Sequence, residues 1–220
     1  MLLAEVQVEN VRVVHQGEEA EASRIAKALE RAVRALPSFT GAASLQVKAR
    51  LSANTEEFTA RTGLPATAAA GVVESEIVLP PSRVTVRFED LDEVALHEVA
   101  HLAVLENLGR ALPRWLVEGL AARLAGKGGS GAADWKGAAC GKRLAELDGQ
   151  LLAKDATVRA AAYQQAAAIV GAFAAAAGSN EALWNSLAAG NGGRLTARRL
   201  GERTLDEVLR EKTRCTGEKK

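Results

Sequence analysis

The chain is poor in the residue types that most often carry special chemistry. Of its 220 residues only 4% are aromatic, one is tyrosine, two are cysteine and three are histidine. The two cysteines, Cys140 and Cys215, lack the CxxC spacing of redox or zinc-knuckle sites. They allow one disulfide, which would suit an exported protein, but two free thiols explain the count equally well.

An excess of charge of one sign and long apolar runs are also missing. Lysine plus arginine (28) nearly balances aspartate plus glutamate (27), so no global field would recruit nucleic acid or an anionic membrane. No apolar run is long enough for a transmembrane segment, and the first residues lack the pattern of a signal peptide. We expect a periplasmic or secreted protein if an export signal has been removed, and a cytoplasmic one otherwise. The sequence does not indicate an oligomeric state.

Hydrophobic periodicity is mixed in the first third of the chain. Alternating apolar residues predict a strand over 5–14, whereas apolar residues at helical spacing predict a helix over 18–36. Residues 44–52 again alternate, and a capping pair ahead of Glu57 predicts a short helix that ends at Gly63. Three short strand candidates follow: GVVES, EIVLP and RVTVRF.

From Leu91 onward the pattern becomes almost wholly helical. Helices are predicted at 91–108, 114–126, 134–152, 156–177, 180–189 and 204–213. The expected fold class is α+β, with a small mixed N-terminal sheet followed by an all-helical C-terminal subdomain. We expect one domain over 1–220, made of a mixed lobe (1–90), a helical lobe (91–213) and a tail (214–220). The glycine-rich segment 126–134 is the expected mobile loop.

Two of the three histidines lie four residues apart in the apolar segment ALHEVAHLAV (95–104). Side chains at this spacing lie on nearly the same side of a helix, about 6 Å apart along its axis, so His97 and His101 are suited to bind one zinc ion. Glu98 flanks them at about 100° round the helix, where it would take a proton from a water that the metal activates. The opposing interpretation is a core helix that carries the HExxH motif by accident, which composition makes a roughly one-in-a-hundred event.

A third ligand is expected, because catalytic zinc usually binds three protein side chains and keeps one position open. Glu118 lies within PRWLVEGLA, among apolar residues that predict a buried position. A carboxylate in such a place needs a partner, and zinc is one. A salt bridge to Arg114 or Arg123 and a solvent-facing glutamate stay open as alternatives.

HEVAH, 16 intervening residues and Glu118 together resemble the gluzincin metallopeptidases, in particular the bacterial peptidase MA-like group related to thermolysin and aminopeptidase N. The resemblance implies a zincin-like fold, with His97, His101 and Glu118 as zinc ligands and Glu98 as general base. AAGVVES also resembles the edge strand on which gluzincins align an extended peptide, and YQQAAAIVGAFAAAAG resembles a later helix that often carries a tyrosine. The likeness covers roughly 5–213, but only the zinc motif is specific.

The resemblance predicts zinc-dependent hydrolysis of a peptide or protein substrate, with Zn²⁺ as the cofactor. Tyr163, the only tyrosine, would stabilise the oxyanion, although ordinary packing explains it equally well. The aminopeptidase motif GxMEN is missing, which favours an endopeptidase. Related enzymes often carry an acidic residue and then an aromatic one where this chain has Ala122 and Arg123. The alternative function is therefore a catalytically weak or inactive gluzincin-fold domain that binds peptides or protein partners.

The remaining histidine and the tryptophans have structural interpretations. His15 ends the first predicted strand, far from the motif, and is expected at the surface. Trp115 and Trp184 are expected to pack in the core or between helices, and the spacing of Trp135 does not assign it a role.

Overall fold

A computed structural model of the chain describes residues 3–81, 91–109, 112–126, 144–153, 155–189, 199–200 and 203–204. Several predicted features lie outside these residues: the strand RVTVRF, the loop 126–134 apart from Gly126, residues 134–143 of a predicted helix, most of the predicted helix 204–213, the tail 214–220, Trp135, Cys140 and Cys215. The chain divides into two compact units, Met1–Glu106 and Asn107–Lys220. The described residues form a mixed α+β structure, as the sequence predicts.

The first unit contains a five-stranded sheet with the strand order β1-β2-β3-β5-β4. The strands are β1 (Ala4–Val8), β2 (Val11–His15), β3 (Val47–Leu51), β4 (Gly71–Val73) and β5 (Glu76–Leu79). β2, β3 and β5 are parallel, while β1 and β4 run antiparallel at the two ends of this order. One face of the three parallel strands carries fully buried aliphatic side chains, among them Val13, Ala49 and Ile77. This face gives the unit its core.

The prediction of a single strand over 5–14 is wrong, because that segment is a hairpin of β1 and β2. The chain turns at Glu9, whose φ of 47° is rare for a residue other than glycine. The apolar residues change phase at this turn, from Val6 and Val8 to Val11 and Val13. No glycine marks the turn, so the phase change was the available signal.

The first two helices agree with the sequence-based expectation. α1 (Glu19–Ala35) buries Ile25, Leu29 and other apolar residues at helical spacing. Exposed hydrogen bonds raise the pKa of two of its arginines. Arg24 donates to Glu21, and Arg34 donates to Glu9 and Glu30. α2 (Thr55–Thr62) begins at Asn54, whose side chain accepts a hydrogen bond from Glu57 N, and ends at Gly63 with φ 68°.

The third helix, α3 (Leu91–Leu108), is apolar around most of its circumference. A helix of that kind is expected to be buried on several sides. Two exposed side-chain contacts tie it to other parts of the first unit. Arg31 of α1 contacts Asp92 at 2.5 Å, and the Ser75 hydroxyl in the β4–β5 turn donates to Glu106 Oε1 at 2.6 Å.

In the second unit, the regular structure of the described residues is helical apart from a short hairpin of β6 (Arg199–Leu200) and β7 (Arg203–Thr204). Its helices are α4 (Arg114–Leu124), α5 (Leu144–Leu151), α6 (Ala156–Ala177) and α7 (Asn180–Ala188). Asp155 and Ser179 accept hydrogen bonds from the first turns of α6 and α7. These bounds match the predicted helices closely at 114–126, 156–177 and 180–189, and the helix predicted over 134–152 is described over 144–151. Thr204, predicted to begin a helix, lies in β7.

No single helix among the described residues is long and apolar enough to cross a membrane. Ala156–Ala175 and Asn180–Ala188 meet the same criteria of length and composition only when they are taken together, across a bend of 91°. Trp115 and Trp184 are each 3% exposed, so the prediction that both are packing residues is confirmed.

Candidate metal centre

The two histidines of the motif lie side by side on α3. Their Nε2 atoms are 3.1 Å apart, and the two rings are perpendicular, with centroids 4.6 Å apart. His101 is 9% exposed and His97 is half-buried. Two nitrogens that each lie about 2.0–2.1 Å from a tetrahedral zinc ion are separated by about 3.4 Å. The observed separation is close to that value, so the pair fits a shared metal with little rearrangement.

Glu98 follows His97 directly on the same helix and is 7% exposed. Among the described residues that line a small pocket between α1, β5 and the first turns of α3, Glu98 is the charged one. The other lining residues are aliphatic, and they include Leu29 and Leu79. Little water surrounds a carboxylate in such a place, so its polar contacts are stronger than they would be in solvent.

Glu118 lies in the second turn of α4 and is 8% exposed, among the buried residues Trp115, Leu116 and Leu120. His97, His101 and Glu118 each offer one ligand atom, and these three atoms all lie within 4.8 Å of one another. Imidazole nitrogen and carboxylate oxygen are both ligands that zinc accepts. The donor set therefore fits the predicted metal.

A glycine next to the predicted ligand allows two helices to approach closely. A Cβ atom at Gly119 would lie 2.5 Å from the carbonyl oxygen of Ala166 and 2.5 Å from Val170 Cγ2 on α6. The carbonyl belongs to a helix backbone and cannot move without shifting α6. Sequence reasoning missed this residue, although an isolated glycine inside a helical pattern often has a packing reason.

The two positions where the chain departs from the gluzincin pattern that it resembles serve helix packing. Ala122 is buried, with 6% exposure. Arg123 donates from Nε to Asn180 Oδ1 at 3.2 Å, at the start of α7. A Cβ atom at Gly171 would lie 2.7 Å from an Arg123 terminal nitrogen, so the arginine occupies the space that this glycine leaves open. Arg123, considered above as a partner for Glu118, thus has a packing role on α6 and α7.

Tyr163 is half-buried in the second turn of α6. It precedes Ala166 by three residues and Val170 by seven, so all three lie on one stripe of the helix. That stripe is the one that approaches Gly119, the neighbour of Glu118. The predicted catalytic role of Tyr163 stays a prediction, and its position on this stripe is compatible with it.

His15 is buried, with 3% exposure, so the prediction that it lies at the surface is wrong. Strand alternation explains the position, because residue 15 shares a face of β2 with the fully buried Val11 and Val13. Its Nδ1 atom has no hydrogen-bond partner in the part of the chain that the structure describes.

Comparison with known proteins gives no relative for this chain. No protein-family model, curated protein or solved structure matches it.

Proposed function

We propose that His97, His101 and Glu118 bind a zinc ion and that the chain is a zinc-dependent peptidase of the gluzincin type, with a zincin-like fold. The observation that carries the proposal is the convergence of three ligand atoms within 4.8 Å, two of them from an HExxH helix. The HExxH motif and the apolar context of Glu118 in the sequence point to the same residues. Two neutral imidazoles and one carboxylate would leave the centre with a formal charge of about +1, which suits an electrophilic metal site.

A zinc ion in this centre would polarise a substrate carbonyl and lower the pKa of water. Glu98 would accept a proton from the water that attacks the carbonyl carbon. As the peptide C–N bond breaks, the protonated Glu98 would return that proton to the departing amine nitrogen, so the carboxylate is regenerated. Tyr163 would donate a hydrogen bond to the oxyanion that forms when the water adds to the carbonyl carbon, before the C–N bond breaks.

An extended peptide is the substrate class that the first unit favours. β4 lies at one end of the described sheet order, and among the described strands it pairs with β5 alone, in antiparallel register. A strand of this kind offers backbone groups to a further strand, which is how β-augmentation binds peptides. Because no motif for a free amino terminus is present, we propose an endopeptidase.

The test of this function is to measure zinc content and cleavage of a peptide library by the wild type and by Glu98→Gln. The wild type should retain about one zinc per chain after dialysis and cleave peptides. Glu98→Gln should retain zinc and lose activity by about 100-fold or more, because the removed group is the base. Glu93→Gln, an exposed glutamate on the same helix, is the matched control and should leave both properties unchanged. Full activity of Glu98→Gln would contradict the mechanism.

A second candidate is a zinc-loaded domain that binds peptides without cleaving them. The observation that favours it is the buried Ala122, which stands where related enzymes carry an acidic residue that orients a histidine ligand. Stoichiometric zinc and peptide binding with no cleavage across a broad library would support this candidate against the first.

A further inference from the structure

The first turn of α4 begins without a cap of its own. Pro113 occupies the position before the helix, and its side chain has no oxygen to accept a hydrogen bond. Its backbone carbonyl accepts from Leu116 N and Val117 N, as in any helix start. The amide of Trp115 nevertheless needs an acceptor from elsewhere, because amides of the first turn have no partner within the helix.

Asp148 of α5 supplies that acceptor. Its Oδ1 accepts a hydrogen bond from Trp115 N at 2.7 Å, across 33 residues of sequence. A carboxylate at a helix start forms a charge-assisted bond and interacts favourably with the helix dipole. Asp148 is half-buried, and its helix is held in the core by Leu147 and Leu151, which are 1% and 3% exposed. The packing of α5 in the core of the second unit therefore holds the Asp148 carboxylate in place.

Trp115 is held by its side chain as well as by its backbone. The indole packs edge-to-face on Phe173 of α6, with ring centroids 5.9 Å apart. Glu118 follows Trp115 by three residues, so both lie on one face of α4, about 4.5 Å apart along the axis. A change in the position or rotation of the first turn would therefore move the Glu118 carboxylate.

We propose that Asp148 is a positioning residue for Glu118: it fixes the start of α4 so that the carboxylate meets the metal. The inference rests on the proposed metal site and goes beyond it, because Asp148 lies outside the HExxH motif and outside the helix that carries the third ligand. Metal ligands usually need a neighbouring group that holds them in place. Asp148 would do this indirectly, by binding the backbone of the helix that carries Glu118.

The test compares zinc dissociation constants, measured by competition with a chromophoric chelator. Asp148→Ala should bind zinc about 10-fold or more weakly than the wild type. Asp148→Asn keeps an oxygen acceptor and should restore the affinity to within about threefold. Asp155→Ala is the matched control, because it removes an aspartate that caps α6 through Thr157 N and Val158 N. Asp155→Ala should lower the free energy of unfolding by about as much as Asp148→Ala does. It should leave zinc affinity unchanged.

Equal zinc affinity of Asp148→Ala and Asp155→Ala would overturn the inference while leaving the metal site intact. Absence of zinc from the wild type would instead overturn the proposed function, and this inference with it. Hydrogen exchange on the unmodified chain covers the case in which Asp148→Ala does not fold. The Trp115 amide should exchange as slowly as interior helix amides, and more slowly once zinc is added. Rapid exchange at Trp115 in the zinc-loaded chain would overturn the inference.

Discussion

Helices α3 and α4 hold their predicted ligands in different ways. α3 carries two imidazoles whose separation is set within one helix, since residues four apart share a face. α4 carries a single carboxylate, and its position depends on contacts with other elements. Those contacts are the Asp148 hydrogen bond, the Trp115–Phe173 packing and the close approach at Gly119. The histidine pair is therefore a local feature, whereas the glutamate is a tertiary one.

This difference predicts where substitutions away from the ligands should affect metal binding. Loosening the surroundings of α3 leaves the spacing of His97 and His101 intact, because the helix itself maintains it. Loosening the surroundings of α4 moves Glu118 relative to its own unit. Metal affinity should thus be sensitive to the packing of α4 and insensitive to the exposed contacts of α3.

The largest effect of this kind is expected from Gly119→Ala. The added methyl group would meet the Ala166 carbonyl oxygen at 2.5 Å, so α4 must move away from α6. Overpacking of this type costs about 1–3 kcal/mol in the free energy of unfolding. Zinc affinity should fall by about 10-fold or more, because the displaced residue adjoins Glu118. Calorimetric unfolding and chelator competition measure the two effects.

Gly149→Ala is the control for that substitution. Gly149 also lies within a helix, α5, but a Cβ atom there would meet no other atom within 4 Å. Alanine should therefore stabilise the chain by about 0.5–1 kcal/mol and leave zinc affinity unchanged. Equal zinc affinities of the two alanine variants would show that the position of Glu118 does not depend on the packing of α4 against α6. The contrast between α3 and α4 would then be lost.

The smallest effect is expected from Ser75→Ala, which removes the hydrogen bond to Glu106 of α3. The bond is exposed, so its loss should cost about 1 kcal/mol or less. Zinc affinity should stay within about twofold of the wild type, since the spacing of the two imidazoles does not depend on this contact. A 10-fold loss of affinity in Ser75→Ala would show that α3 too depends on its tertiary surroundings.

The sequence predicted the features that depend on local spacing. The α3 helix, its histidine pair and the cap at Asn54 follow from periodicity and residue type within a few positions. The β1–β2 hairpin was missed because no glycine marks its turn. The surface position expected for His15 left out of account its alternation with the buried Val11 and Val13. The bond between Asp148 and Trp115 joins residues 33 positions apart, and no local pattern encodes it.

X-ray absorption at the zinc edge of the loaded chain tests most directly whether His97, His101 and Glu118 bind one zinc ion. We expect stoichiometric zinc with two imidazole nitrogens and carboxylate oxygen at about 2.0–2.1 Å. In Glu118→Ala the imidazole signal should persist while zinc binds more weakly. A wild type that retains no zinc after dialysis, or a spectrum with sulfur at about 2.3 Å, would show that these three residues do not form a zinc site.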